Sequence, residues 1–149
     1  MINELTVLTK LVEVITEDLG DYLDEQLADI VEGQVLLEFP NVDKMPYPVM
    51  FYVQPDYAEF EDGTTCSDKE TFNCSIFILC KRDTEKNLTI KTYGYYNALY
   101  NLLRKETSLQ STVGFTGIND VTFYPAIEGN PSVQGAEVSI STVFEQDFN

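Results

Sequence analysis

Residues 71–103 constrain the fold most strongly, because their apolar pattern changes from the two-residue repeat of a β-strand to the longer repeat of an α-helix. In the first part, alternate residues divide between two mostly apolar faces, which predicts a strand in the interior of a sheet. One face carries Cys74, Ile76, Ile78 and Cys80, and the other carries Asn73, Ser75, Phe77, Leu79 and Lys81.

The second part predicts an amphipathic helix that packs on this sheet. Its apolar stripe comprises Leu88, Thr92, Tyr95, Tyr96, Leu99, Leu102 and Leu103. Arg104 and Lys105 fall in the predicted last turn, where positive charge suits the helix dipole. Asp83 or Thr84 is the expected N-cap, because either side chain can accept a hydrogen bond from the first free amides.

The N-terminal segment predicts another amphipathic helix. Gly20 either ends this helix or kinks it, because a similar pattern continues towards Gly33. Its apolar stripe comprises Leu5, Leu8, Leu11, Val12, Ile15, Leu19 and Tyr22.

Between and after the two helices, the sequence predicts several strands and connections. Strands are expected at residues 34–39, 49–53 and 121–127, and residues 41–48 and 108–120 are expected to be irregular. Pro55 is expected to limit pairing of the second of these strands. Residues 56–70 are interpreted as a long hairpin connection or mobile loop, which makes residues 49–54 and 72–81 antiparallel neighbours. Residues 128–131 are expected to form a turn.

The last strand shows the clearest alternation of apolar and polar residues. One side comprises Ala136, Val138, Ile140, Thr142 and Phe144, and the other comprises Glu137, Ser139, Ser141, Val143 and Glu145. We expect the first side to face helices and the second to face water or a partner. The chain is therefore predicted to be one α+β domain over residues 1–149. Its expected architecture is a two-layer sandwich, with a mainly antiparallel sheet of about four to five strands against an N-terminal and a central helix.

The chain contains no histidine, which excludes Ser/His/Asp and Cys/His nucleophiles and zinc sites that use histidine. The spacing of Cys66, Cys74 and Cys80 does not match a zinc ribbon. Cys74 and Cys80 are too far apart on an extended strand, at about 20 Å, for a disulfide. The acidic residues 59–63 are interpreted as solvated. We therefore predict no catalytic residue, no cofactor and no metal, and we expect a protein that is not an enzyme.

The formal charge of −16 repels nucleic acid and anionic membranes, so we predict neither as a partner. The sequence lacks the pattern of a signal peptide or membrane span, and we expect a cytosolic protein. Six of the nine cationic residues lie within 81–105, whereas residues 1–33 are strongly acidic. Opposite ends of the molecule then carry different potentials, which favours head-to-tail contacts. Alternatively, the acidic helix and the mixed helix are simply solvated.

Four tyrosines lie close together on the predicted central helix: Tyr93, Tyr95, Tyr96 and Tyr100. Helical spacing places only some of them on the buried stripe, and Tyr93 and Tyr100 share a second face. They either anchor a partner surface or pack against the N-terminal helix. We favour packing against the helix and keep Tyr93 and Tyr100 as candidate subunit-interface residues.

The layout of the whole chain resembles a known family of structural proteins. It combines an N-terminal helix with four successive segments: Met45-Pro46-Tyr47-Pro48-Val49, Ser75-Ile76-Phe77-Ile78-Leu79, Tyr95-Tyr96-Asn97-Ala98-Leu99 and Gly135-Ala136-Glu137-Val138. This pattern resembles the tail terminator, or tail completion, proteins of tailed bacteriophages. The resemblance implies a small α+β subunit without catalytic residues. It would form a ring, typically a homo-hexamer, that ends the tail tube and joins it to head and neck proteins in the virion, after assembly in the bacterial cytoplasm.

Three other classes stay open: another head-tail connector or neck protein, an acidic inhibitor that mimics DNA, and an ordinary intracellular binding domain. Under the tail-terminator interpretation, we expect subunit contacts at residues 56–70 and on the outer face of the last strand. Together with the two exposed tyrosines, the candidate interface residues are Glu137, Ser139, Ser141, Val143, Glu145, Tyr93 and Tyr100.

Overall fold

The fold is described from a computed structural model that covers residues 2–62, 67–83 and 87–147. Two α-helices and five strands occur in the order α1 (Glu4–Asp18), β1 (Val35–Leu36), β2 (Val49–Asp62), β3 (Ser67–Lys81), α2 (Leu88–Lys105), β4 (Phe115–Tyr124) and β5 (Val133–Asp147). Short 3₁₀-helices lie at Leu19–Tyr22 and Val42–Lys44. None of the described helices is long and apolar enough to cross a membrane.

The strands form one sheet in the order β1-β2-β3-β5-β4, with both helices packed on the same face. β1 and β2 are parallel, and every other neighbouring pair is antiparallel. The predicted α+β fold with a mainly antiparallel sheet is therefore confirmed. We call the face that contacts the helices the helix face and the opposite one the open face.

The main core lies between the sheet and the helices, and the alternation of β3 and β5 supplies much of it. On β3 the buried face is the one that carries Cys74, Ile76, Ile78 and Cys80, and on β5 the residues Ala136, Val138 and Ile140 of the predicted helix-facing side are fully buried. β3 lies between β2 and β5 over its full length, as its two apolar faces predicted. A smaller cluster covers one end of the open face and comprises Val42, Met45, Met50, Leu79, Ile127 and Val133.

The helix α1 is rotated relative to the predicted stripe. Leu5 is 62% exposed, and the buried face is centred on Leu11 and comprises Val7, Leu8, Leu11, Val14 and Ile15. Asn3 and Thr6 form a reciprocal cap that starts the helix at Glu4. Of the two alternatives at Gly20, the end of the helix is confirmed: α1 ends at Asp18, and a 3₁₀ turn at Leu19–Tyr22 redirects the chain in place of a continued helix.

The helix α2 begins later than the sequence predicted. Asn87 is its N-cap and accepts hydrogen bonds from the amides of Thr89 and Ile90. The prediction of Asp83 as the cap is therefore wrong, and Thr84 lies outside the described residues. Asp83 instead pairs with the Nζ of Lys91 at 3.1 Å, and this buried ammonium also donates to the carbonyl of Lys81. Lys91 thereby ties α2 to the end of β3.

The strand β2 continues well beyond Pro55, so the expectation of a loop over residues 56–70 is wrong for its described part. Pro55 pairs with Cys74, and the register shifts between Pro55 and Tyr57. This bulge accommodates Pro55, which has no amide hydrogen to donate. Beyond it, β2 and β3 stay paired as far as Asp62 opposite Asp68. The predicted antiparallel pairing of 49–54 with 72–81 is confirmed.

The strand β4 lies earlier than predicted, because residues 115–120 are paired with β5 rather than irregular. A register shift between Ile118 and Asp120 interrupts this pairing, which ends at Tyr124. The predicted strand at 34–39 shortens to Val35–Leu36, and the irregular segment 41–48 contains a 3₁₀-helix. The turn at 128–131 is confirmed by left-handed backbone at Glu128 and Gly129 and a bridge between Ile127 and Asn130.

A Tyr95→Phe variant is expected to be about 1 kcal/mol less stable than the wild type. The Tyr95 ring is buried against Phe51, and its hydroxyl donates to the carbonyl of Ala28 at 2.8 Å. Burial raises the pKa of this phenol to about 12. Urea unfolding measures the loss, and Tyr93→Phe is the control because Tyr93 is 57% exposed. Equal stability of the two variants would contradict a structural role for this hydrogen bond.

Candidate assembly surfaces

The outward residues of β5 lie on the open face, as the sequence predicted. Glu137, Ser139, Ser141 and Val143 are half-buried between β3 and β4, and Glu145 is exposed opposite Lys69. Their partial burial comes mainly from the neighbouring strands, because α1 and α2 both pack on the opposite face. The five residues thus form one continuous row on the open face.

A network of hydrogen bonds fixes the middle of this row. The hydroxyl of Tyr124 donates to Glu137 at 2.7 Å, and this bond raises the pKa of the Tyr124 phenol. Ser75 donates to Asp56 at 2.6 Å and lies 3.3 Å from Glu137. Glu137 is therefore engaged within its own subunit, which makes it a poor residue for testing contacts between subunits.

Ser141 is also held within its own subunit. Its hydroxyl donates to Asn73 at 2.6 Å and accepts a hydrogen bond from Asn119 at 2.8 Å. These bonds link β3, β4 and β5 on the open face. Among the five outward residues of β5, only Glu145 is exposed.

Tyr93 and Tyr100 lie on the surface of α2, 57% and 36% exposed. Their rings contact Tyr96 at 5.8 and 6.3 Å, and Phe123 of β4 stacks on Tyr93 at 6.3 Å. Tyr93 and Tyr96 therefore pack against Phe123 of β4 rather than against α1 as we favoured, and Tyr100 contacts β4 only through Tyr96. The guanidinium of Arg104 lies 5.8 Å from the Tyr100 ring centroid. We name Tyr93, Tyr96, Tyr100, Arg104 and Phe123 the aromatic band.

The hairpin formed by β2 and β3 carries a second exposed surface. Tyr57, Glu59 and Glu61 alternate along β2 on the open face, and all three are exposed. We name these three residues the hairpin stripe. Phe60, which is 53% exposed, projects from the opposite face of the same strand. β1 pairs with β2 only at Phe51 and Tyr52, so the stripe lies beyond the part of β2 that β1 covers.

A pair of carboxyl groups lies where the start of α1 meets β3 and β5. Glu70 is fully buried on the helix face, beside Glu4 in the first turn of α1. With its amide nitrogen turned towards them, Gln146 donates to Glu4 at 2.9 Å and to Glu70 at 2.7 Å. The other carboxyl oxygen of Glu70 has no hydrogen-bond partner. Burial, followed by the charge of Glu4, raises the pKa of Glu70 to about 7.

The described residues offer little for nucleophilic or metal chemistry. Burial raises the pKa of Cys74 to about 12 and that of Cys80 to about 11, so neither thiol ionises at neutral pH. Cys66 lies outside the described residues. In the ranges that the structure describes, no group of three or more Asp, Glu, Cys or His side chains is arranged to hold a metal ion.

The structure does not bring the predicted interface residues into one site. The outward row of β5 lies on the open face, whereas Tyr93 and Tyr100 lie on the helix side of the sheet. The sequence did not indicate Phe123 or Arg104 as interface residues. It did include Tyr57, Glu59 and Glu61 in the expected contact segment 56–70, but as part of a connection rather than as one face of a strand. The spacing of Tyr93, Tyr96 and Tyr100 signals a helix face, but their contact with Phe123 depends on the tertiary fold.

Comparison with protein-family models and with curated protein sequences gives no match for this chain.

Proposed function

We propose that this protein is a structural subunit that forms a ring, caps the tail tube of a tailed bacteriophage and joins the tail to the head. Two lines of argument support the proposal: the resemblance in layout, and the exposed aromatic residues at both sides of the sheet. The second carries more weight. Tyr57 and Phe60 are exposed on β2, and Phe115, Phe123 and Tyr93 are exposed on or beside β4.

Exposed aromatic residues of this kind mark surfaces that bind other proteins. Those on β2 and those near β4 differ in sequence and surroundings, so a contact between them is head-to-tail rather than symmetric. Head-to-tail contacts close into rings when the rotation between copies permits it. The net charge of −16 also suits a ring through which DNA passes, because it does not retain phosphates.

The first test is the solution mass, measured by light scattering coupled to gel filtration over a concentration series. We expect a species near six times the 16.9 kDa chain mass, or a monomer that approaches it with concentration. The second test adds the protein to polymerising phage tail tube protein and uses electron microscopy to look for capped tubes of limited length. A chain that neither assembles nor binds tubes contradicts the proposal and favours the acidic-inhibitor or plain binding-domain classes.

A further inference from the structure

The hairpin stripe and the aromatic band lie at opposite ends of the sheet. β2 and β4 are on different sides of β3 and β5 in the strand order. By register, Phe123 lies level with Ile78, whereas Glu61 lies level with Lys69. This separation of about nine residues corresponds to roughly 30 Å along the strands. The stripe of one chain therefore cannot reach the band of the same chain.

The two surfaces carry opposite charges, and the one cation beside the hairpin stripe in the described residues is Lys69, which lies opposite Glu61 in the register of β2 with β3. Among the described residues, ion pairs join Lys10 to Glu13 and Lys91 to Asp83, and there are no others. Within the described residues, the exposed Arg104 therefore forms no ion pair with a carboxylate, and Glu59 forms none with a cation. In a chain with a net charge of −16, copies repel one another unless a contact uses such cations.

The stripe and the band also match in length and chemical order. From Tyr93 to Arg104 the band extends about 16 Å along α2, and from Tyr57 to Glu61 the stripe extends about 13 Å. Each has an aromatic end and a charged end. Beside Tyr93 and Phe123, a groove of about 360 Å³ opens between α2 and β4 and offers space for an aromatic side chain. The lengths of the two surfaces are compatible with Tyr57 of a second copy at this groove and Glu61 near Arg104.

We propose that the hairpin stripe of one copy of this chain binds the aromatic band of a second copy. This inference rests on the proposed function, because it names the surfaces that join neighbouring subunits of the ring. The contact is head-to-tail, so every copy uses its stripe on one neighbour and its band on the other.

The experiment uses two variants of the full chain with reversed charge. The stripe variant is Glu59→Lys with Glu61→Lys, and the band variant is Arg104→Glu. Sedimentation velocity over a concentration series measures self-association of each variant and of their equimolar mixture. Lys105→Glu is the control for the band, because it makes the same charge change in the same helix turn outside the band. Glu17→Lys with Glu25→Lys, both at exposed positions, is the control for the stripe.

We expect each variant alone to associate at least tenfold more weakly than the wild type. In the stripe variant the new lysines face Arg104 of the next copy, and in the band variant the new glutamate faces Glu59 and Glu61, so each contact joins like charges. The mixture is expected to recover assembly. At one contact the new lysines of the stripe variant face the new carboxylate of the band variant, and at the next contact the native stripe faces the native band. The controls are expected to associate like the wild type. Circular dichroism establishes that every variant is folded.

Wild-type association by either variant, or a mixture that recovers nothing, would overturn the inference. A wild-type protein that stays monomeric at every concentration would overturn it as well. These outcomes are separable from failure of the proposed function. Rings that form regardless of the variants, or wild-type protein that caps tail tubes, leave the proposed function standing while the pairing of these surfaces is wrong.

Discussion

A Gly135→Ala variant is expected to be about 3 kcal/mol less stable than the wild type. A Cβ atom at this position would lie 2.9 Å from the carbonyl oxygen of Ile78 and 2.7 Å from the Cδ1 of Ile127. The Ile127 side chain can rotate, but the carbonyl belongs to the paired backbone of β3. The added methyl group therefore forces β3 and β5 apart near the start of β5.

Urea unfolding measures this loss, and Gly117→Ala on β4 is the matched control. A Cβ atom at Gly117 would meet the ring of Phe115 at 3.0 Å, and this exposed side chain can move away. We expect the control to lose clearly less stability. Equal losses in the two variants would show that β3 and β5 are not held as closely at Gly135 as the structure describes.

A Glu70→Gln variant is expected to be more stable than the wild type by up to about 3 kcal/mol at pH 8, and to show no such gain near pH 4. The pKa of Glu70 is raised from 4.5 to about 7 by burial and by Glu4. The folded protein therefore holds this proton more tightly than the unfolded chain does. Stability consequently falls as the pH rises from about 4.5 to 7, and the amide removes this loss because it cannot ionise.

The measurement is urea unfolding at several pH values between about 4 and 8, a range that includes both the unfolded-state and the folded-state pKa of Glu70. Glu61→Gln is the control, because Glu61 is exposed on the same hairpin. We expect its pH profile to follow that of the wild type. If the Glu70→Gln profile also parallels the wild type, the charge of Glu70 is not responsible for the change in stability over this pH range.

The sequence predicted those elements whose side chains alternate between different environments. In β5, every second residue from Ala136 to Phe144 faces the core, and the residues between them, from Glu137 to Glu145, face outward. This alternation alone indicated the strand and its two faces. The strand β4 was placed too late, because Gly117, Asn119 and Asp120 bury little apolar surface. These residues are extended because they pair with the backbone of β5, and a backbone pairing leaves no pattern in the side chains.

The candidate surfaces were predictable only in part. Tyr93 and Tyr100 were candidates because they share a helix face outside the buried stripe. Phe123 and Arg104 join them through the packing of α2 on β4, which no local pattern contains. Glu70 looked like one more acid in an acidic segment. Its burial follows from the register of β3 with β5 and from the position of the first turn of α1.

The two register shifts in the sheet, at Pro55 in β2 and at Ile118 in β4, have a consequence for the size of an assembly. In a head-to-tail ring, the number of copies depends on the angle through which each contact turns the next copy. The sheet lies between the hairpin stripe and the aromatic band, and bulges increase its twist. In the proposed ring, the twist of the strands would therefore set the ring diameter. If the chain forms the proposed ring, substitutions at Pro55 and Ile118 are expected to change its copy number.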